Sequence, residues 1–330
     1  MRAVVITTPG GPEVLEVRDV PRPTPSADEV LVRVRASALN RADLLQRRGR
    51  YPAPPGWPAD IPGIEFAGEI AEIGSAVRDW REGDRVFGLV GGGAQAEYLV
   101  THACTIARVP EALPWREAGA VPEAFITAHD ALITQAELRP SERVLIHAVG
   151  SGVGLAAVQL VRAVGAIPYG TSRTREKIAR AREYGLEDGV VLGAELSPLV
   201  ERARAWSGGT GMDVVLELVG GNYVPASLAT LATRGRLILI GTMAGGSSEI
   251  DLGLVLRKRL HIIGTALRAR PLDEKIAATR AFATQVVPLL ARGVVRAVVD
   301  SVFPIEKIRA AHERLESNET FGKVVVTIDE

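Results

Sequence analysis

Arg143-Val-Leu-Ile-His147-Ala148-Val149-Gly150-Ser151-Gly152-Val153-Gly154, continued by Leu155-Ala-Ala-Val-Gln-Leu-Val161, is the stretch whose reading decides the fold. Val144 to Ile146 form a short apolar run, as a strand buried on both faces requires. Gly150, Gly152 and Gly154 supply a turn free of Cβ atoms, and from Gly152 to about Val164 apolar residues recur at helical spacing. A strand, a glycine turn and a helix N-terminus in that order aim free backbone N–H groups and the helix dipole at one point. The pyrophosphate of a dinucleotide is the expected guest, held by Gly150, Ser151, Gly152, Val153 and Gly154.

Outward from that turn the chain reads as three blocks. Residues 1–124 carry short strands (2–7, 15–19, 29–38, 66–73, 85–88 and 96–100) punctuated by proline, the texture of an irregular β-barrel. Strands alternate with helices over about 124–266, at 143–148, 166–171, 189–192, 213–218, 236–241 and 261–265. That rhythm predicts βαβ units and a Rossmann sheet. The remainder holds a long helix (272–291), a helix near 305–316 and a last strand, 323–328, expected to return to the barrel. The domains are therefore expected at 1–124 with 268–330, and at 125–267.

Composition narrows the class. With 330 residues, 47% of them hydrophobic, two cores are expected. Thirty-nine basic and 39 acidic residues cancel, so no global field favours nucleic acid or an anionic membrane. A single cysteine, Cys104, excludes an intrachain disulfide and a thiolate metal cluster. No apolar run approaches a membrane span, and the start reads as a strand instead of a signal peptide, so a cytoplasmic enzyme is expected.

Cofactor choice is read at the end of the second sheet strand. Enzymes that use NAD place an acid there for the ribose 2′-OH. Here the chain runs Tyr169-Gly-Thr-Ser172-Arg173-Thr-Arg175-Glu-Lys177, with hydroxyls and cations in place of the acid. A 2′-phosphate needs such groups, so NADPH is predicted, with Ser172, Lys177 and then Arg173 as its contacts.

The whole chain resembles the zinc-free quinone oxidoreductases of the medium-chain dehydrogenase/reductase superfamily, in particular the tumour-suppressor-inducible subgroup. The resemblance is carried by Gly10-Gly-Pro-Glu13, Ser37-Ala-Leu-Asn40-Arg-Ala-Asp43, Gln46, Tyr51, Ile61-Pro-Gly63, Pro122-Glu123-Ala, Thr127-Ala128, the 147–154 turn, Leu267-Arg-Ala-Arg270 and Phe321-Gly-Lys323. It implies an α/β protein with a GroES-like irregular β-barrel catalytic domain and a doubly wound cofactor domain. Zinc-using relatives carry a Cys at the position of Asn40, a His-Glu pair at Ile64-Glu65, and a four-cysteine lobe absent here. Too few ligands remain for a tetrahedral site, and the histidines at 102, 129, 147, 261 and 312 read as core or surface residues. Hydride donation to an electron-poor quinone is the implied reaction.

The resemblance also implies roles. Asn40 is expected near the substrate carbonyl or a bound water. Tyr51 is expected to donate to the oxyanion, to form a stacking wall, or only to pack its loop. Thr127, Gly241-Thr242-Met243 and Leu267 are expected around the nicotinamide and ribose, with Ser151 beside the pyrophosphate. Lys323 is expected either to reach the cofactor or to form a surface salt bridge. Where relatives often have a tyrosine against the adenosine, Val191-Leu192-Gly193 offers Leu192. Reduction of activated C=C bonds in enals or enones fits the same residues; outside the enzyme class the alternative is an NADPH-binding sensor or an RNA-binding role, of which the RNA role is disfavoured by the balanced charge. The apolar edge 260–266 is expected to pair with its symmetry mate in a homodimer, unless Arg257, Lys258 and Arg259 keep it solvated.

Overall fold

Two strands open the chain, Arg2–Ile6 (β1) and Leu15–Asp19 (β2), paired antiparallel in a sheet of their own. Glu29–Ala38 (β3) follows, and its Val30, Leu31, Val32 and Val34 are wholly buried because the strand is paired along both edges. It runs antiparallel to Glu65–Ile73 (β4) throughout and to Tyr98–His102 (β6) over its first half. Its ladder with β4 shifts register at Leu31/Val32 and Val34/Ala36, as β-bulges do where a strand bends. Arg85–Leu89 (β5) and Ile106–Arg108 (β7) extend the sheet beyond β4.

Next come six strands in one parallel sheet: Arg143–Ile146 (β8), Ile167–Ser172 (β9), Asp188–Val191 (β10), Met212–Glu217 (β11), Leu231–Leu239 (β12) and His261–Gly264 (β13). Their spatial order, β10-β9-β8-β11-β12-β13, is doubly wound, with the direction of winding reversing between β8 and β11. Helices Gly152–Val164, Arg175–Arg182, Ser197–Trp206, Tyr223–Thr230 and Leu252–Lys258 make the crossovers. Leu145, Val215, Leu237, Leu199 and Leu228 are among the residues that fill this core.

The chain then returns. Val299–Pro304 (β14) lies parallel to Lys323–Thr327 (β15), which pairs antiparallel with Ala36–Ala38 of β3. Ile305, Ile308, Ala311, Leu315, Val324 and Val326 thereby join the barrel core of Val4, Leu15, Val30, Phe66 and Leu99. The computed structural model describes residues 1–193 and 195–328. It divides into two units: residues 1–126 with those from 267 onward, and residues 127–266. The sequence reading placed the junctions at 124/125 and 267/268.

The differences from the sequence reading are local. The helix predicted over 272–291 is two, Leu272–Gln285 and Val287–Ala291. Pro288 has no N–H to continue the first helix and its ring opposes the preceding turn, so it starts the second. The strand predicted at 96–100 lies at 98–102, and Ala96 makes an isolated bridge to Ala3. β7 and β14 are too short or too polar to announce themselves. No helix among the described residues is long and apolar enough to cross a membrane.

Candidate functional site

In the second unit the chain leaves β8 through His147 into a turn that ends at the helix Gly152–Val164. Ser151 is the N-cap of that helix, its Oγ accepting from Gly154 N at 3.1 Å. Its hydroxyl therefore stabilises the turn itself, whatever it does for a phosphate. Gly154 is required by proximity: a Cβ there would lie 2.7 Å from Ala148 O and 2.9 Å from Val149 Cα. Ala148 adopts a left-handed φ of 48° to make the turn. Gly150, Ser151, Gly152, Val153 and Gly154 thus form a tight cradle at the dipole end of a 13-residue helix, a fit for a pyrophosphate.

Several other predicted cofactor residues follow strand ends of the same sheet. Ser172, buried, ends β9, and Thr174 caps the helix Arg175–Arg182, where Lys177 sits on the first turn. Arg173 is exposed and Lys177 half-buried. Gly241 and Thr242 line a shallow recess with Leu239, Ile240, Gly264, Thr265 and Ala266, while Met243 beside them is exposed. Thr127, half-buried, lies in the helix Pro122–His129. Leu192 is corrected: its side chain packs into the sheet core and cannot cover an adenosine, whereas Val191 faces outward.

The first unit holds a buried polar cluster. Asn40 Nδ2 donates to Glu65 Oε1 (2.8 Å) and Ala38 O (3.2 Å), and Asn40 Oδ1 accepts from Lys323 Nζ (2.5 Å). Lys323 Nζ also lies 2.7 Å from Glu65 Oε1 and 3.8 Å from Glu123 Oε2. Asp43 accepts from Asn40 N (2.7 Å) and Gly63 N (2.9 Å), clamping the strand β3 exit to the Ile61-Pro-Gly63 loop. Two expectations change here. Both amide hydrogens of Asn40 are spent inside the protein, so its nitrogen is not a ready donor to a substrate carbonyl. Lys323 is not a surface salt bridge: it is buried, and its ammonium bonds Asn40 and pairs with Glu65, because a buried ammonium takes the nearest carboxylate. Burial alone would lower the Lys323 ammonium, but Glu65 and Glu123 outweigh it and hold it raised.

Tyr51, half-buried on its proline-rich loop, is gripped by Arg268. The guanidinium stands 4.8 Å from the Tyr51 ring centroid and donates to Tyr51 O (3.2 Å), Gly91 O (2.9 Å) and Gln46 Oε1 (2.5 Å). Arg268 directly follows Leu267, itself half-buried. The sequence reading quoted Glu65, Glu123, Asp43 and Arg268 as motif letters without giving them a function. Charged residues beside apolar, small or proline neighbours were the available signal. Among the described residues no group of three or more His, Cys, Asp and Glu is arranged to hold a metal ion.

Known proteins are similar to this chain in sequence and in fold. The alcohol dehydrogenase GroES-like domain family matches residues 26–111, and the family described as zinc-binding dehydrogenase matches 152–284. The chain is 32% identical to a quinone oxidoreductase of Rattus norvegicus, over 99% of this chain and 98% of the relative. The solved Escherichia coli quinone oxidoreductase complexed with NADPH is 29% identical with a TM-score of 0.88, covering 99% of this chain and 100% of that one. CurK enoyl reductase is 28% identical with a TM-score of 0.86, covering 99% of each.

Proposed function

The chain belongs to the quinone oxidoreductase family of the medium-chain dehydrogenase/reductase superfamily, and on that premise we propose that it is an NADPH-dependent quinone reductase working without zinc. The observation that carries the cofactor choice is the end of β9, where Thr171, Ser172 and Arg173 stand with no acid before Glu176. Ser172, Arg173 and Lys177 would hold the 2′-phosphate, and the amides of the 150–154 turn the pyrophosphate. Thr127, Gly241, Thr242, Met243 and Leu267 would line the ribose and nicotinamide. When bound, NADPH supplies a hydride, and a quinone that takes it with one proton from water becomes a hydroquinone.

This chain's part is to place and stabilise. The Tyr51 hydroxyl would donate to the acceptor oxygen as negative charge develops there, with Arg268 holding its ring. Zinc independence is supported by the charge already present: the Lys323 ammonium, bonded to Asn40 and Glu65, occupies the neighbourhood where zinc-using relatives keep metal ligands. A homodimer through β13 is part of the same reading, since Ile262 there and Leu252 and Leu256 on the preceding helix are exposed.

A second reading, reduction of an activated C=C bond, is favoured by the likeness to CurK enoyl reductase. It needs a proton delivered to carbon, for which Tyr51 is the candidate. NADPH oxidation followed in parallel with benzoquinone, phenanthrenequinone and a trans-enal separates the two. Turnover of the enal alone would replace the quinone reading, and turnover of none would end both.

A further inference from the structure

His147 lies at the carboxyl end of β8, shut from solvent together with Thr171, Glu217 and Ser227. Its Nδ1 is 2.9 Å from Thr171 Oγ1 and its Nε2 is 2.8 Å from Ser227 Oγ. Ser227 Oγ donates to Glu217 Oε2 at 2.8 Å, and Glu217 Oε1 accepts from Val219 N (2.8 Å) and Gly220 N (3.0 Å). These contacts have one self-consistent direction. Ser227 spends its single hydrogen on the carboxylate, so it must accept from His147, and Nε2 carries the ring proton. Nδ1 is then the acceptor for the Thr171 hydroxyl. Burial keeps the imidazole below its ordinary range against the pull of Glu217, which agrees with a neutral ring.

Both ends of this chain touch the predicted cofactor seat. Thr171 precedes Ser172, and its carbonyl accepts from Val149 N of the phosphate turn at 2.9 Å. At the other end, the 218–221 turn that Glu217 caps is packed on the 241–245 segment. Ala244 N donates to Val219 O (2.7 Å), Gly221 N donates to Gly245 O (3.0 Å), and a Cβ on Gly220 would lie 2.8 Å from Thr242 Cα.

We propose that His147 is a positioning residue that sets the phosphate turn, the 2′-phosphate end of β9 and the nicotinamide-side turns in register through one directional hydrogen-bond chain. The inference rests on this unit being the NADPH seat. Its two arms have different readouts. Thr171→Val breaks the arm at β9 and is expected to reduce the NADPH-over-NADH affinity ratio by roughly fivefold, the size of one net hydrogen bond, with Thr171→Ser restoring it. Ser227→Ala breaks the other arm and is expected to weaken both cofactors equally. Long-range proton–nitrogen NMR of the His147 ring is expected to place its hydrogen on Nε2. A Thr171→Val protein with lower melting temperature but an unchanged ratio, or a ring proton on Nδ1, overturns the inference. A wild-type protein that binds neither cofactor overturns the NADPH reading, and the inference with it. If the wild type binds both alike, the 2′-phosphate assignment fails, and the ring proton still decides whether the chain runs as stated.

Discussion

Lys323 Nζ stands 2.7 Å from Glu65 Oε1, with 6% and 0% of the two side chains exposed. Lys323 comes from β15 and Glu65 from β4, strands far apart in sequence that β3 separates in the sheet. An ion pair so buried gains little over apolar packing, but losing one partner strands the other charge. Lys323→Met is therefore expected to cost about 3–5 kcal/mol in urea unfolding, and Lys323→Met with Glu65→Gln to recover most of it. A single variant as stable as wild type would remove the pair from the account of the fold.

His312 and Asp43 pull stability in opposite directions with pH. Burial, aided by the Arg47 charge, takes His312 from 6.5 down to about 3. Burial takes Asp43 from 3.8 up to about 6, against the amides of Asn40 and Gly63. Below pH 6.5 the unfolded chain protonates a histidine that the folded protein keeps neutral until about pH 3, so stability falls with falling pH. Asp43 holds its proton in the fold alone between 3.8 and about 6, so its contribution is full below 3.8 and lost as pH rises through 6. His312→Leu is expected to gain about 1.4 kcal/mol per pH unit relative to wild type as pH drops from near 6 toward 3. Stability–pH curves that run parallel would contradict the buried neutral histidine.

Replacing Lys177 with Ala should narrow the gap between NADPH and NADH dissociation constants by roughly 1–2 kcal/mol, the scale of a charge-assisted contact. Calorimetric titration with both cofactors measures it. Wild-type protein binding the two equally would end the assignment of the β9 end to a 2′-phosphate.

At the sheet edge, Thr265 N donates to Leu239 O at 3.0 Å. In a parallel ladder the groups facing one neighbour alternate, so the N–H of Ile263 also faces β12 and those of Ile262 and Gly264 face outward. Lys258, a candidate guard of this edge, instead donates to Leu231 O and Ala229 O. Ile262→Pro removes an outward donor without touching β12, and sedimentation should show it monomeric beside a dimeric wild type. A monomeric wild type, or a variant as dimeric as its parent, would exclude this interface.

Local pattern was enough for much of this protein. The apolar run before Gly150, the alternation of strands with helices and the prolines of the first block determined a barrel plus a doubly wound sheet, because period and turn chemistry are short-range properties. The missing acid after Thr171 was equally legible, since a strand end and its next few residues suffice to read it. What Asn40, Lys323, Arg268 and His147 touch was decided by the tertiary structure alone. Asn40 and Lys323 lie 283 residues apart, and Arg268 and Tyr51 217 apart. A polar side chain in a core is satisfied by whichever partner folding delivers, and no local pattern in the chain encodes that partner.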